Sequence, residues 1–372
     1  MSAARSIASL HSATKLSADR SLEVRAPKRY DVRRGSVVDD AGARDLLCLA
    51  FGVSTRTPYP RRCNASSGNL HSTEVRALLP GIVARFCAES GDRGELERWS
   101  ESDVVPPPDT LVIAATMVVE RQTSKYGGRG MRYALLDLGH ALGSLLLATR
   151  ARGRFASFVD RPEALVRSTF QLGGPGPAEQ PGFVVSVTDA QGPRALGTEW
   201  LLPEEFCERG AEWMIQRRSA RAFERVAAPH AAYEALLATM RSALAFAGVD
   251  LAWTSIVHDV EGVGEGAPDE IDERRIETGF VCGCQVIAEN AAFVLVLGAR
   301  LDVLESSTES VAAYRKAHVA VGAVSQLLLV VAESLGLRGN PLGAFLDDEA
   351  SALLPSGNVA LLAIAFGKPA PT

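Results

Sequence analysis

Two stretches of this chain share an unusual pattern of apolar and polar positions. RYALLDLGHALGSLLLATRARG begins at Arg132, and RKAHVAVGAVSQLLLVVAESLG begins at Arg315. Each is a helix-length run that is apolar nearly all round, which predicts a helix at the centre of a unit or at the contact between two units. Each follows a β-branched strand candidate, TLVIAATMVVE (110–120) in one case and AAFVLVLGARL (291–301) in the other. Each then leads into a Phe-containing loop (Phe158, Phe345) and a further strand candidate, GFVVSVT (182–188) or VALLAIAFG (359–367). Aligning Gly139 with Gly322 gives an offset of 183 residues (322 − 139), and Arg132/Arg315, Leu145/Leu328, Leu146/Leu329 and Gly153/Gly336 then coincide. An offset of about half the chain predicts a duplicated domain and not a short-period solenoid.

Interleaved helices and strands make each half an α+β unit. The small, polar, aperiodic residues 1–25 read as a mobile tail, residues 26–200 as the first half and 211–372 as the second, with the boundary near 199–212. PPPD (106–109) and GGPGPAEQPG (173–182) read as loops.

Composition narrows the classes. With 47% hydrophobic and 22% charged residues, the chain can bury a real core. The net charge is −5, and Arg33-Arg34 and Arg61-Arg62 are isolated pairs, so a nucleic-acid partner is not expected. Six cysteines are too few for a disulfide framework at this length. Cys282-Gly283-Cys284 has the wrong spacing for a zinc knuckle and no second pair to complete it; read as strand, it predicts two buried thiols, and no metal is expected. No apolar h-region opens the chain, and the longest apolar run (319–332) is too short and polar-broken to span a bilayer. A cytoplasmic protein is the expectation.

Four segments carry candidate chemistry. RQTSKYGGRGMRYALLDLGH (121–140) places Lys125 and Tyr126 just ahead of a glycine-rich turn. These are either two surface side chains on a loop or a catalytic base. MIQRRSARAF (214–223) gathers Arg217, Arg218, Ser219 and Arg221, either a solvated basic face or a grip for phosphate, which guanidinium forks bind bidentately. NASSGNLHSTE (64–74) is a Ser/Gly loop whose small residues allow close backbone approach, and LRGNPLGAF (337–345) reads as a turn.

Together these segments resemble the nitroreductase-like flavoprotein superfamily, in particular its azoline dehydrogenase branch, which oxidises thiazoline or oxazoline rings in ribosomally made peptides. The resemblance spans most of 40–372, as two tandem copies. It implies an FMN cofactor whose phosphate is gripped by Arg217, Arg218, Ser219 and Arg221. Ser66, Ser67, Gly68 and Asn69 would lie against the ring and ribityl chain, and Pro341, Leu342, Gly343 and Ala344 would place backbone N–H groups beside the hydride-accepting N5. The pattern Lys125, Tyr126, Gly127, Arg129, Arg132, Tyr133, Asp137, Gly139, His140 is similar to that of azoline dehydrogenases, in which the Lys-Tyr pair serves as the base. Two departures stand out: Ala65 and Ser72 occupy positions where that family commonly has proline. The resemblance also implies an azoline-bearing peptide or small molecule as substrate and suggests a cyclodehydratase as partner.

The motifs divide between the halves. The repeat offset puts Thr308 and Glu309 opposite Lys125 and Tyr126, so the pair is confined to the first half, as is the Ser-Ser-Gly-Asn loop. The full Arg-Arg-Ser-x-Arg and Pro-Leu-Gly-Ala segments are confined to the second, VRRGSV (32–37) being a poor copy. The family's members are normally homodimers with flavin in the seam, so the expectation is an intramolecular pseudo-dimer with one working site. A lysine base needs a lowered pKa, and Arg129 and Arg132 are placed in sequence to push it down. Asp137 and His140 read as a satisfied buried pair anchoring the turn. Competing readings are a nicotinamide-driven nitro or quinone reductase, a flavin-free scaffold subunit, and an oxidase of another cyclic amide.

Overall fold

The computed structural model describes residues 14, 35–55, 60–159, 163–172, 179–190, 195–196, 202–203, 205–246, 248–264, 266–300 and 310–371. The tail assigned to 1–25 (Thr14 apart), Thr308-Glu309 and parts of the 32–37, 173–182 and 199–212 segments lie outside them.

The first half runs α1 (Ala41–Phe51), β1 (Val53–Thr55), β2 (Arg61–Arg62), β3 (Thr73–Leu79), β4 (Ile82–Cys87), β5 (Glu95–Glu101), β6 (Thr110–Met117), α2 (Val119–Tyr126), α3 (Gly130–Ala151), β7 (Phe155–Phe158), α4 (Glu163–Thr169), β8 (Gln180–Thr188) and β9 (Ala195–Leu196). The second runs α5 (Phe206–Gln216), α6 (His230–Phe246), β10 (Leu251–Val257), α7 (Pro268–Val281), α8 (Val286–Glu289), β11 (Phe293–Arg300), α9 (Ser310–Ser334), β12 (Arg338–Leu342), α10 (Asp347–Ala352) and β13 (Asn358–Gly367). The four strand candidates of the repeat are β6, β11, β8 and β13.

Each half builds an antiparallel sheet. Among the described residues the first has the order β5-β4-β3-β6-β8-β7-β9 and the second β10-β11-β13-β12. The segment β3-β6-β8-β7 therefore matches β10-β11-β13-β12, and β6 and β11 coincide residue for residue at the repeat offset. Pro341 sits in β12, at the sheet edge where a residue without an N–H costs no ladder bond.

Helices α3 and α9 form the centre. Arg132 through Thr149 are all buried in α3, and α9 packs along it. The two cross at the repeat-matched glycines. A Cβ on Gly139 would overlap the Val319 carbonyl oxygen and lie 2.7 Å from Gly322 Cα. A Cβ on Gly322 would overlap the Leu136 carbonyl oxygen and lie 2.9 Å from Gly139 Cα. Positions 136 and 319 are again repeat mates, so the contact is reciprocal, as at a twofold interface. Helix α9 is longer than its apolar run suggests, and by length and composition it could cross a membrane. Its apolar stretch is 78% buried within the protein, which makes it a core helix.

Three details differ from the sequence reading. Residues 282–284 are not a strand: Cys282 is buried at the end of α7, but Gly283 and Cys284 turn left-handed (φ 70° and 59°) and leave Cys284 exposed. Thr14, within the segment read as a tail, is buried; its carbonyl oxygen and Oγ1 accept hydrogen bonds from Arg129 Nη1 (3.2 Å) and Arg132 Nε (2.7 Å). Helix α5 runs unbroken across residue 211, where the second half was taken to begin, and packs on both α3 and α9.

Because rigid backbone opposes each glycine, Gly139→Ala and Gly322→Ala should each lower unfolding stability by about 1–3 kcal/mol in denaturant titrations. Their effects should not add, since both spread the same crossing.

Candidate active site

The loop that ends in β3 folds back sharply on itself. Gly68, Asn69 and His71 all take left-handed backbone angles (φ 60°, 57° and 49°), which glycine tolerates and the other two adopt under constraint. Asp137, from the middle of α3, supplies that constraint. Its carboxylate accepts hydrogen bonds from Ser66 Oγ (2.8 Å), the Ser67 N–H (2.8 Å) and Ser72 Oγ (3.0 Å). It also accepts one from Gln122 Nε2 of α2, at 2.7 Å.

Gln122 lies one turn before Lys125 and Tyr126 on α2. Those two side chains converge on Gly68: a Cβ there would overlap the Tyr126 hydroxyl and stand 2.7 Å from Lys125 Nζ. Tyr126 meets Tyr133 edge to face at 4.8 Å, and Tyr133 packs on Gly343 so closely that a Cβ at 343 would overlap its ring. A line of contacts thus runs from the first-half loop through the Lys-Tyr pair to the second-half loop. Burial, then Tyr133 and Asp137, push the Tyr126 phenol far above its usual pKa, so it holds its proton.

The second half closes the other wall. The Ala220 N–H donates to the Gly339 carbonyl (3.1 Å), and Asn340 Nδ2 donates to the Ala220 carbonyl (2.7 Å), pinning residues 217–221 beside β12. Between the halves lies a cleft of about 210 Å³. Ala65, Ser66, Ser67, Gly68, Leu136 and His140 line it from the first half, and Ser219, Asn340, Pro341, Gly343 and Leu362 from the second.

Six of the residues read from sequence as flavin contacts therefore share one cleft: Ser66, Ser67, Gly68, Ser219, Pro341 and Gly343. Others are placed differently. Asn69 is exposed, with Nδ2 donating to the Pro60 carbonyl (2.8 Å). Leu342 points into the second-half core, and the Ala344 carbonyl accepts from Gln285 Nε2 (2.7 Å). Arg217 is buried and holds the first-half loop, Nε donating to the Cys63 carbonyl at 2.8 Å and Nη2 to that of Arg62 at 3.1 Å. Burial brings its pKa down to about 10, which leaves it cationic at neutral pH. Arg218 Nη1 caps the carbonyls at the end of its own helix, Ile215 (2.7 Å), Gln216 (2.8 Å) and Arg217 (3.1 Å). Arg221 is exposed and near Arg61, whose pKa falls through burial and then through that neighbour.

Arg129 and Arg132 turn to the second half. Both pair with buried Asp347, Arg129 at 2.5 Å, and Arg129 also donates to the Gly343 carbonyl from Nη2 (2.8 Å) and Nε (3.0 Å). Their charge is spent on fixing the 343–347 loop. Asp137 and His140 are buried as expected but turn apart: His140 Nε2 lies 3.1 Å from Ser325 Oγ in α9, and burial followed by Arg217 lowers its pKa to about 3.

Sequence reasoning missed Gln122, Gln326 and Asp347. Gln326 accepts from the Ala65 N–H (2.9 Å) and donates to the Cys63 carbonyl (3.2 Å). The departures at 65 and 72 thereby acquire a reason: a proline at 65 has no N–H for Gln326, and one at 72 has no hydroxyl for Asp137. Unmet polar groups also stand on the segments that flank the cleft. Arg217 Nη1, Asn64 Oδ1 and both ring nitrogens of His71 are enclosed without a hydrogen-bond partner among the described residues. Such groups are normally satisfied, and the free Arg217 N–H, with the Ser66, Ser67 and Ser219 hydroxyls, fits a polar phosphate-bearing ligand.

No protein-family model matches the chain, and no curated protein matches it. Solved structures do. A presumptive nitroreductase of Anabaena variabilis superposes on 99% of this chain and 100% of its own, with a TM-score of 0.80 and 20% identity. The NADPH:FMN oxidoreductase of Vibrio harveyi complexed with NAD+ covers 43% of this chain and 68% of its own (TM-score 0.33, 21% identity). The Escherichia coli microcin synthetase McbBCD complex with truncated pro-MccB17 bound covers 44% and 71% (TM-score 0.35, 19% identity). The full-length superposition establishes the nitroreductase-like fold for this chain, as two tandem halves forming an intramolecular pseudo-dimer.

Glu74 anchors α2 from below the site, bonded to Arg121 Nη2 (2.5 Å) and Arg85 Nε (2.9 Å). Burial alone would raise its pKa, but Arg121, Arg85 and Arg62 outweigh it and bring the carboxyl from 4.5 to about 2. A depressed folded-state pKa stabilises above the unfolded value and stops doing so as pH falls through the folded one. The stability gap between wild type and Glu74→Gln should therefore close between pH 4.5 and about 2, as measured by denaturant titration across that range.

Proposed function

We propose that this protein is an FMN-dependent dehydrogenase that oxidises azoline rings of a peptide to azoles, with Lys125 as the base. The observation that carries this reading is the convergence of Lys125 Nζ and the Tyr126 hydroxyl on Gly68, in a loop that lines a cleft whose far wall is Pro341 and Gly343. Ser219, Arg217 and Arg221 would hold the FMN phosphate, and Ser66, Ser67 and the backbone at 68 and 341–344 would hold the rest. Arg218 serves its own helix end. FMN, when bound, supplies the hydride acceptor.

The protein's own part is the proton. Aromatising an azoline removes one hydride and one proton from adjacent ring carbons, so a base must reach the C–H. Lys125 Nζ takes that proton. Tyr126 keeps its own proton and is a hydrogen-bond donor that orients the ring. One composite site per chain follows from the split of its parts between residues 26–200 and 211–372. A peptide substrate, a cyclodehydratase that forms the ring and a cytoplasmic setting complete the reading. A nitro or quinone reductase has no need of a carbon-acid base, so the Lys125-Tyr126 pair favours the dehydrogenase reading.

Protein purified without added cofactor should show an oxidised-flavin spectrum and release one FMN per chain. Lys125→Ala should keep the flavin and lose azoline oxidation by roughly 10²–10⁴-fold. Full activity in that variant would remove Lys125 from the mechanism. Nicotinamide-driven reduction of nitro compounds without azoline oxidation would replace the reading with the reductase.

A further inference from the structure

The helix that bears Lys125 and the loop that bears Gly68 are distant in sequence, and one buried carboxylate joins them. Asp137 is 1% exposed. Its oxygens meet four donors, from Ser66, Ser67, Ser72 and Gln122, at 2.7–3.0 Å. An ionised carboxylate has about four acceptor positions, so this one is filled.

We infer that Asp137 is a positioning residue, which sets Lys125 Nζ and the Tyr126 hydroxyl over Gly68 by holding Gln122 and the 66–72 loop on a single carboxylate. The inference rests on the reading of Lys125 as the base and extends it to the group that aims it. The linkage is short. Gln122 and Lys125 are one turn apart on α2, and Ser67 adjoins Gly68. Gln122 Nε2 also reaches the Ser67 carbonyl (3.2 Å), so α2 and the loop meet at the carboxylate itself. Asparagine copies the shape but turns one acceptor into a donor that faces other donors.

The test uses Asp137→Asn, Gln122→Ala and the double variant, with the rate of reductive methylation at Lys125 read by peptide mass against Lys316 and Lys368. In Asp137→Asn the Lys125 rate should change several-fold while the two reference lysines stay as in wild type. Gln122→Ala should reproduce the change, and the double variant should add nothing to it, because both act through one tether. In azoline turnover, kcat should fall on the order of a hundredfold, with KM little altered.

Unchanged labelling of Lys125 in Asp137→Asn would overturn the inference. So would parallel changes at all three lysines, which would assign Asp137 to stability alone. If Asp137→Asn fails to fold, Gln122→Ala decides alone: wild-type labelling of Lys125 there overturns the tether. Shifted labelling in a protein that oxidises no azoline would reject the substrate reading and keep the tether. Azoline oxidation with unshifted labelling would do the reverse.

Discussion

The close crossing of α3 and α9 at Gly139 and Gly322 is the constraint from which the rest of the structure follows. Neither helix can move outward without losing the buried apolar surface that both present nearly all round. Neither can carry a Cβ at the crossing without striking the other's backbone. The two backbones are therefore fixed to each other at atomic contact, and each helix carries its own sheet with it. A cleft assembled from Ser66–Gly68 on one side and Pro341–Gly343 on the other needs that rigidity, because its walls share no stretch of chain.

Electrostatics secure the seam where apolar packing ends. Arg129 and Arg132 from the first half share the Asp347 carboxylate of the second, all three essentially excluded from water. Losing one partner of a buried ion pair leaves an uncompensated charge and costs about 3–5 kcal/mol. Here one acid faces two cations, and the Gly343 carbonyl and Thr14 oxygens accept further N–H groups from them. The same guanidiniums hold the loop at 343 against the first half.

Much of this was legible in the sequence because it is local or periodic. The offset between Arg132 and Arg315 revealed the duplication, all-round apolarity placed α3 and α9 at the centre, and the split of motifs foretold a cleft built from both halves. What escaped is what depends on distance. Asp347 meets Arg129 across 218 residues, and Gln326 meets Ala65 across 261, and no spacing rule connects such positions. Arg129 and Arg132 were assigned to Lys125 because they are its sequence neighbours, but the helix carries them round to the opposite half. Cys284 was misplaced for a local reason: the segment closes a helix and not a strand, and two consecutive left-handed residues turn the chain there.

Duplication in one chain also permits a kind of fit that an identical pair of protomers cannot reach. Gly143 and Gln326 are repeat mates, and they face each other: a Cβ on Gly143 would stand 3.0 Å from Gln326 Cβ. The glycine makes room for the glutamine, whose amide then binds Ala65 and Cys63 and so holds the loop that runs into Ser66 and Gly68. In a homodimer both positions would carry the same residue. Two glutamines would collide at this spacing, and two glycines would leave the Ala65 N–H and the Cys63 carbonyl without these partners. The backbone symmetry at Gly139–Gly322 and the side-chain asymmetry one turn away are thus complementary. The first keeps the halves in register, and the second gives the two copies different contacts beside one cleft.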